Sequence, residues 1–314
     1  MSSLRSATRG VAAIGRSGSG ISVARNPDHA QRDGYATVRV MRRWLAGLCC
    51  GLAAGAAIAA EPVLTVTTGG RTATYTVASL LAHPAVAAIT IPQDVAYKRP
   101  MTYQAVPVSV LLDGVAPAAS LRFTASDGFA ATLQADLLRA AGGQAPRAYL
   151  AIEPPDAPWP PLKAGEPGSA GPFYLVWVHP ERALIVPEQW PYGVVRIEET
   201  KPLAERFPAL VPAAGLTADA SVRRGFAVTM KNCMVCHTLN LGGDASIGPD
   251  LNVPFNPTEY LRADALRRLI RDPQSLHRWP AARMPGFDVS VLSDRDLNDV
   301  LAYLRYMANR KVAK

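Results

Sequence analysis

Five consecutive residues, Cys233-Met234-Val235-Cys236-His237, constrain this chain of 314 residues more than any other feature. They place two thiols and an imidazole on one short stretch of backbone, and three uses of such a set compete. A redox dithiol calls for a βαβ setting, whereas the segment before Cys233 reads as a helix. A zinc site needs further ligands at suitable spacing. Beyond residue 60 the sequence supplies only these two cysteines and four histidines, His83, His179, His237 and His277.

The third use is attachment of a c-type haem, and here the spacing has a mechanism. The two thiols add across haem vinyl groups as thioethers, and the next residue, His237, is held beside the iron as an axial ligand. One such pentad predicts one covalent haem c on Cys233 and Cys236.

The sequence around the pentad turns helical from Ala218 onward. Leu261, Ala265, Leu266, Leu269 and Ile270 fall at helical spacing. Ser293-Asp294-Arg295-Asp296 has the form of a capping box with Asp in place of Glu. Leu297, Val300, Leu301 and Leu304 then recur at i, i+3, i+4 and i+7. Gly225 lies eight residues before Cys233 on the first of these helices. Gly248-Pro249-Asp250-Leu251 and Arg283-Met284-Pro285-Gly286-Phe287 follow the pentad in that order. On these residues, 218–314 resembles a class I cytochrome c, an all-α domain. The resemblance implies that Gly225 lets the first and last helices cross closely. It implies that the Pro249 carbonyl accepts the Nδ1–H of His237, and that Met284 is the sixth ligand. A neutral thioether favours Fe(II) and leaves no open position for substrate, so outer-sphere transfer of single electrons follows. His277 competes with Met284 as the sixth ligand. The family commonly has an aromatic four residues before the first Cys. Thr229 stands in that slot and Phe226 lies one helical face away.

The formal charge of +8 suggests an anionic partner such as nucleic acid. Its distribution argues otherwise. Residues 1–60 carry eight Arg and two Asp, and the remainder holds 25 basic and 23 acidic residues. Two haem propionates bring that close to neutral, so nucleic acid is not expected as a partner. Residues 1–40, rich in Arg, Ser and Gly, are expected to be disordered or outside the mature protein. Residues 41–60 read as a signal peptide. Met41-Arg42-Arg43 is the positive start, Trp44 to Ile58 the apolar stretch, and Ala57-Ile58-Ala59 the cleavage site. Cys49 and Cys50 fall inside the apolar stretch and would leave with it. An uncleaved anchor helix is the alternative, and the only expected membrane contact. Export to a bacterial periplasm follows.

Residues 61–200 read as a β-rich α+β domain. Val63 to Thr67 and Arg71 to Val77 flank Gly69-Gly70 as a hairpin. Strand signals recur at Val86 to Ile91, Leu121 to Ala125, Ala148 to Ile152, Phe173 to Val178 and Gly193 to Ile197. Residues 201–217 read as a linker. Four stretches, Tyr75 to Leu81, Val106 to Leu112, Asp127-Gly128-Phe129 and Gly171 to Trp177, resemble the molybdopterin-binding domain of the sulfite oxidase type. That family binds molybdenum through a Cys thiolate, and residues 61–200 contain no Cys. The resemblance therefore implies a fold more than a chemistry.

The expected protein is a two-domain periplasmic electron carrier rather than an enzyme. Its first domain docks exported redox partners, a dehydrogenase or another cytochrome or oxidase. The alternative is a first domain that binds a molybdopterin-type cofactor or substrate and feeds electrons to its own haem.

Overall fold

In the computed structural model, residues 61–143, 145–218 and 220–313 are described. The segments read as disordered and as a signal peptide lie outside them. Among the described residues, no helix is long and apolar enough to cross a membrane.

The chain begins with β1 (Val63–Thr68) and β2 (Arg71–Thr76), paired antiparallel from Val63↔Thr76 to Thr68↔Arg71. Gly69 and Gly70 both take positive φ, 54° and 73°. A two-residue turn of that handedness matches the twist of the strands, and glycine adopts it without steric cost. Along β1, Leu64 and Val66 are buried and their neighbours are not, the alternation of a strand with one face on a core. Helix α1 (Val77–Leu81) starts where β2 stops, because the Thr76 and Ser79 side chains each accept from the other's backbone N–H.

Then come β3 (Ala87–Ile91), β4 (Met101–Pro107), β5 (Ser120–Ala125), β6 (Ala130–Gln134), α2 (Ala135–Arg139), β7 (Arg147–Ile152), β8 (Phe173–Val178) and β9 (Val194–Thr200). They form a five-stranded sheet, β2-β1-β9-β5-β6, and a four-stranded sheet, β3-β4-β7-β8. Side chains from both sheets fill one apolar core, including Leu64, Phe123, Leu150, Trp177 and Ile197. In β8 the first five residues are all buried, so this strand shows no alternation. Trp159, Trp177 and Trp190 pack in that core, and the Trp177 indole N–H reaches the Gln189 carbonyl at 2.8 Å. The sequence does not mark β4 or β6 as strands. β6 begins Ala-Ala, of low β propensity, and forms because β5 pairs with it from Ser120↔Gln134 to Thr124↔Ala130.

The helical part contains α3 (Leu203–Arg206), α4 (Ser221–Asn232), α5 (Pro257–Tyr260), α6 (Ala263–Arg271) and α7 (Asp294–Ala308). Residues 201–217 are not a free spacer. Leu210 is buried against Met234 and Val300, and the Tyr303 hydroxyl donates to the Leu210 carbonyl at 2.7 Å. Leu203, Phe207 and Leu210 all join that cluster. Their i, i+4, i+7 spacing is a helical-face signal hidden among prolines.

Helices α4 and α7 cross at Gly225. A Cβ there would collide with the Asp299 carbonyl oxygen and lie 2.9 Å from the Tyr303 Cβ. Arg224 closes the crossing on Asp299 at 2.6 Å, and Phe226 meets Tyr303 edge-on with ring centroids 5.7 Å apart. Phe226 thus supplies an aromatic contact at the crossing, while Thr229 is fully buried beside it. At the start of α7, Ser293 Oγ accepts from the Asp296 N–H at 3.1 Å. Its hydroxyl also donates to the Asp296 carboxylate at 2.8 Å, so the acid closes on the hydroxyl and not on the cap backbone.

Candidate haem site

Helix α4 delivers the pentad. Its last residue, Asn232, leads into a tight turn in which the Cys236 and His237 N–H groups both donate to the Cys233 carbonyl, at 3.1 and 3.0 Å. That turn brings both sulfurs and the imidazole together. The chain then folds back, and the Gly248 N–H donates to the Cys236 carbonyl at 2.7 Å. Gly248 packs flat on the imidazole. A Cβ there would lie 2.5 Å from Nδ1 and 2.9 Å from Nε2. Glycine is required at this position because the ring occupies the space of a side chain.

His237 Nδ1 lies 2.8 Å from the Pro249 carbonyl oxygen. A carbonyl only accepts, so Nδ1 carries the proton and the Nε2 lone pair is left for a metal. Burial lowers the imidazole pKa, opposed by the Pro249 hydrogen bond and the Asp250 charge. Neutral imidazole is the ligating form. Asp250 fixes the loop that presents Pro249. Its carboxylate accepts from the backbone N–H groups of Asn240, Leu241, Asn252 and Val253, at 2.8 to 3.1 Å. Asn240 and Leu241 both hold positive φ, 51° and 59°, and Asp250 restrains that strained pair. Three buried asparagines brace the same loop against the end of α7. Asn240 reaches the Arg310 carbonyl at 2.9 Å, Asn252 that of Met307 at 2.8 Å, and Asn256 that of Leu304 at 3.0 Å. These carbonyls give the buried amide donors partners at and beside the helix end, where the Met307 carbonyl also accepts from the Arg310 N–H at 2.8 Å. The sequence shows these asparagines only as loop residues, since each partner lies about 50 or more positions away.

Burial pushes the Cys233 thiol up to about 12, with the Glu188 charge adding to it. Burial likewise pushes Cys236 up to about 11, aided by Asp127 and Glu188. Both sulfurs are therefore neutral near pH 7. A thioether is neutral, whereas a catalytic dithiol or a thiolate metal ligand needs a depressed pKa. Among the described residues, no group of three or more His, Cys, Asp or Glu is placed to hold a metal ion. The neutral sulfurs, the free Nε2 and the Gly248 cradle fit a covalently attached haem.

Met284 is half-buried in the loop after α6, against the apolar cluster of Leu266, Ile270, Phe287, Leu292, Leu297 and Leu301. The loop is pinned to α6. The Phe287 N–H donates to the Ile270 carbonyl at 3.0 Å, and Arg271 donates to the carbonyls of Phe287 and Leu292 at 2.8 and 2.5 Å. His277 is exposed on the same loop, its ring 4.5 Å from that of Trp279.

The β-rich part meets this site directly. The Ala130 N–H donates to the Val235 carbonyl, between the two cysteines, at 3.0 Å. The Ser246 N–H donates to the Gly128 carbonyl at 3.1 Å. Arg122 of β5 holds Glu198 at 2.7 Å and Asp244 at 2.5 Å, and Arg206 grips the same Asp244. Lys231 of α4 donates to the Leu184 carbonyl at 3.0 Å. Beside it Glu188 is buried with Oε2 unpartnered, and that burial raises its pKa to about 7. These residues carry no motif, and only the fold brings them to the pentad.

The cytochrome c family model matches residues 222–308. That stretch is a cytochrome c domain, spanning α4 to α7 and both loops described above. Such a domain implies a covalently bound haem c and electron transfer through it. No curated protein matches the chain.

Proposed function

We propose that this protein is an exported bacterial electron carrier of two domains. It holds one haem c on Cys233 and Cys236, with His237 and Met284 as axial ligands and Pro249 orienting His237. The observation that carries the reading is the His237 ring, with its Nδ1 committed to the Pro249 carbonyl at 2.8 Å and its Nε2 free. When bound, the haem would supply reversible one-electron chemistry. His237 would ligate it from a rigid turn. Met284 offers a soft, neutral donor from a loop anchored by Arg271, which favours the reduced state. The β-rich part docks an exported dehydrogenase, cytochrome or oxidase. Such encounters bury small areas and are short-lived.

The test is spectroscopic. Protein exported from a host able to attach haem should retain one haem per chain after denaturation. Met284→Ala should keep the haem and lose the absorption of Met-ligated ferric iron. Carbon monoxide binding to the reduced wild-type protein at neutral pH would refute the closed iron. Stoichiometric molybdenum would refute the docking role of the β-rich part.

A further inference from the structure

One short turn of the β-rich part touches both loops that flank the haem position. Residues 127–129 lie in the turn between β5 and β6, and Ala130 opens β6. On one side Ala130 donates to Val235 and Gly128 accepts from Ser246, so the turn is bonded to the attachment loop. On the other side the Asp127 carboxylate meets the Arg283 guanidinium at 3.2 Å. Arg283 immediately precedes Met284. Gly128 holds φ at 94°, and the Ser246 hydroxyl lies where its side chain would stand. The turn is therefore shaped to the cytochrome c domain, and glycine permits the approach. Its geometry is also fixed from within, since the Phe129 N–H donates to Asp127 Oδ1 at 3.0 Å and leaves Oδ2 for Arg283. Tyr192, at the start of the link into β9, has a raised pKa. Burial is the main cause, and the charges of Asp127 and Arg283 act on it.

We propose that the 127–130 turn is a fixed wall of the haem site, with Asp127 a positioning residue that holds the Arg283–Met284 loop closed. This rests on the assignment of Met284 as the sixth ligand, and it gives the β-rich part a role besides docking. The wall is anchored on the attachment loop by two backbone hydrogen bonds. It reaches the distal loop through one ion pair, with side chains 29% and 59% exposed. Opening of the Met284 loop is thereby coupled to a contact that salt weakens.

The test uses the full-length ferric holoprotein, with imidazole as the probe that competes with Met284. Asp127→Asn keeps the turn's own hydrogen bond and removes the charge. Arg283→Gln removes the other partner at an exposed position. Each should raise imidazole affinity about two- to five-fold, the range set by one exposed ion pair. The double variant should bind no more tightly than either single one, because both act through the same contact. Potassium chloride at high concentration should bring the wild type toward the variants and leave the variants unmoved. Thermal unfolding followed by far-UV circular dichroism should hardly change, which separates loop positioning from a general loss of stability. Equal imidazole affinity in wild type and both single variants, with Met-ligated iron in all, would overturn the inference alone. A wild type that binds imidazole as readily as Met284→Ala would overturn the Met284 assignment and this inference with it.

Discussion

Replacing Gly225 with alanine tests the helix crossing that the haem attachment depends on. Two effects oppose each other. In a helix interior alanine is favoured over glycine by about 1 kcal/mol. Against this, the new Cβ would collide with the Asp299 carbonyl oxygen and stand 2.9 Å from the Tyr303 Cβ. Neither obstacle is the end of a flexible side chain. One is helix backbone, and the other is the first carbon of a fully buried tyrosine whose hydroxyl is tied to Leu210. Relief requires α4 and α7 to move apart, which loosens the Arg224–Asp299 pair and the Phe226–Tyr303 contact. Overpacking of this kind costs about 1–3 kcal/mol, and a backbone obstacle places the cost at or beyond the upper end. The net expectation is a loss of about 2 kcal/mol, the difference between those two effects. For a folded unit of this size that lowers the melting temperature by about 4–8 °C. Circular dichroism of holoprotein variants measures it. Gly215→Ala is the control, since a Cβ there meets nothing within 4 Å. A Gly225→Ala protein as stable as wild type, or more so, would show that propensity decides and that the close crossing does not.

Two further outcomes are expected. Thr229 is fully buried and its hydroxyl has no hydrogen-bond partner. Thr229→Val keeps the shape and removes the unsatisfied group, so stability should rise by about 1 kcal/mol, read from chemical denaturation; a loss would mean the hydroxyl is satisfied by water. Glu188 carries a folded-state pKa of about 7 against 4.5 for the free side chain, from burial. The folded chain then binds the extra proton between those values, so this carboxyl lowers stability as pH rises through that window and by a constant amount above it. Glu188→Gln should gain on wild type by about 1–3 kcal/mol between pH 4.5 and pH 7, the scale set by about 1.4 kcal/mol per pH unit, discounted for residual solvent. Melting temperatures at both pH values check it, and a gap independent of pH would contradict the assignment.

The approach of the β-rich part to the haem site illustrates how sequence and structure divide the problem. Asp127 and Gly128 are a plain turn signal in the sequence, and Arg283 is one arginine in a polar loop. Nothing local distinguishes them, because their partners lie far along the chain: Asp127 and Arg283 are 156 positions apart. The same is true of Glu188, whose neighbours Lys231 and Cys233 belong to another part of the chain. The packing of residues 201–217 was hidden in the sequence for a related reason. Leu203, Phe207 and Leu210 form an apolar face, but Pro208 within it and Pro202 and Pro212 beside it mask its period.

What the sequence determined by itself is the chemistry that is local in the chain. Cys233, Cys236 and His237 are contiguous, so their joint use follows from covalent connectivity. Gly225 and Pro249 stand at the α4–α7 crossing and against His237. The hairpin of β1 and β2 was legible because Gly69-Gly70 and the flanking alternation encode both turn and face within fourteen residues. The tertiary structure decided what depends on distant partners. It made β6 a strand through pairing with β5, and it set three buried asparagines against the end of α7. It also brought the 127–130 turn onto both loops of the haem site. Burial and long-range pairing are properties of the folded surface, and no window of sequence contains both halves of such a contact. The pentad that fixed the chemistry is therefore one wall of a site whose other wall is written about a hundred residues earlier.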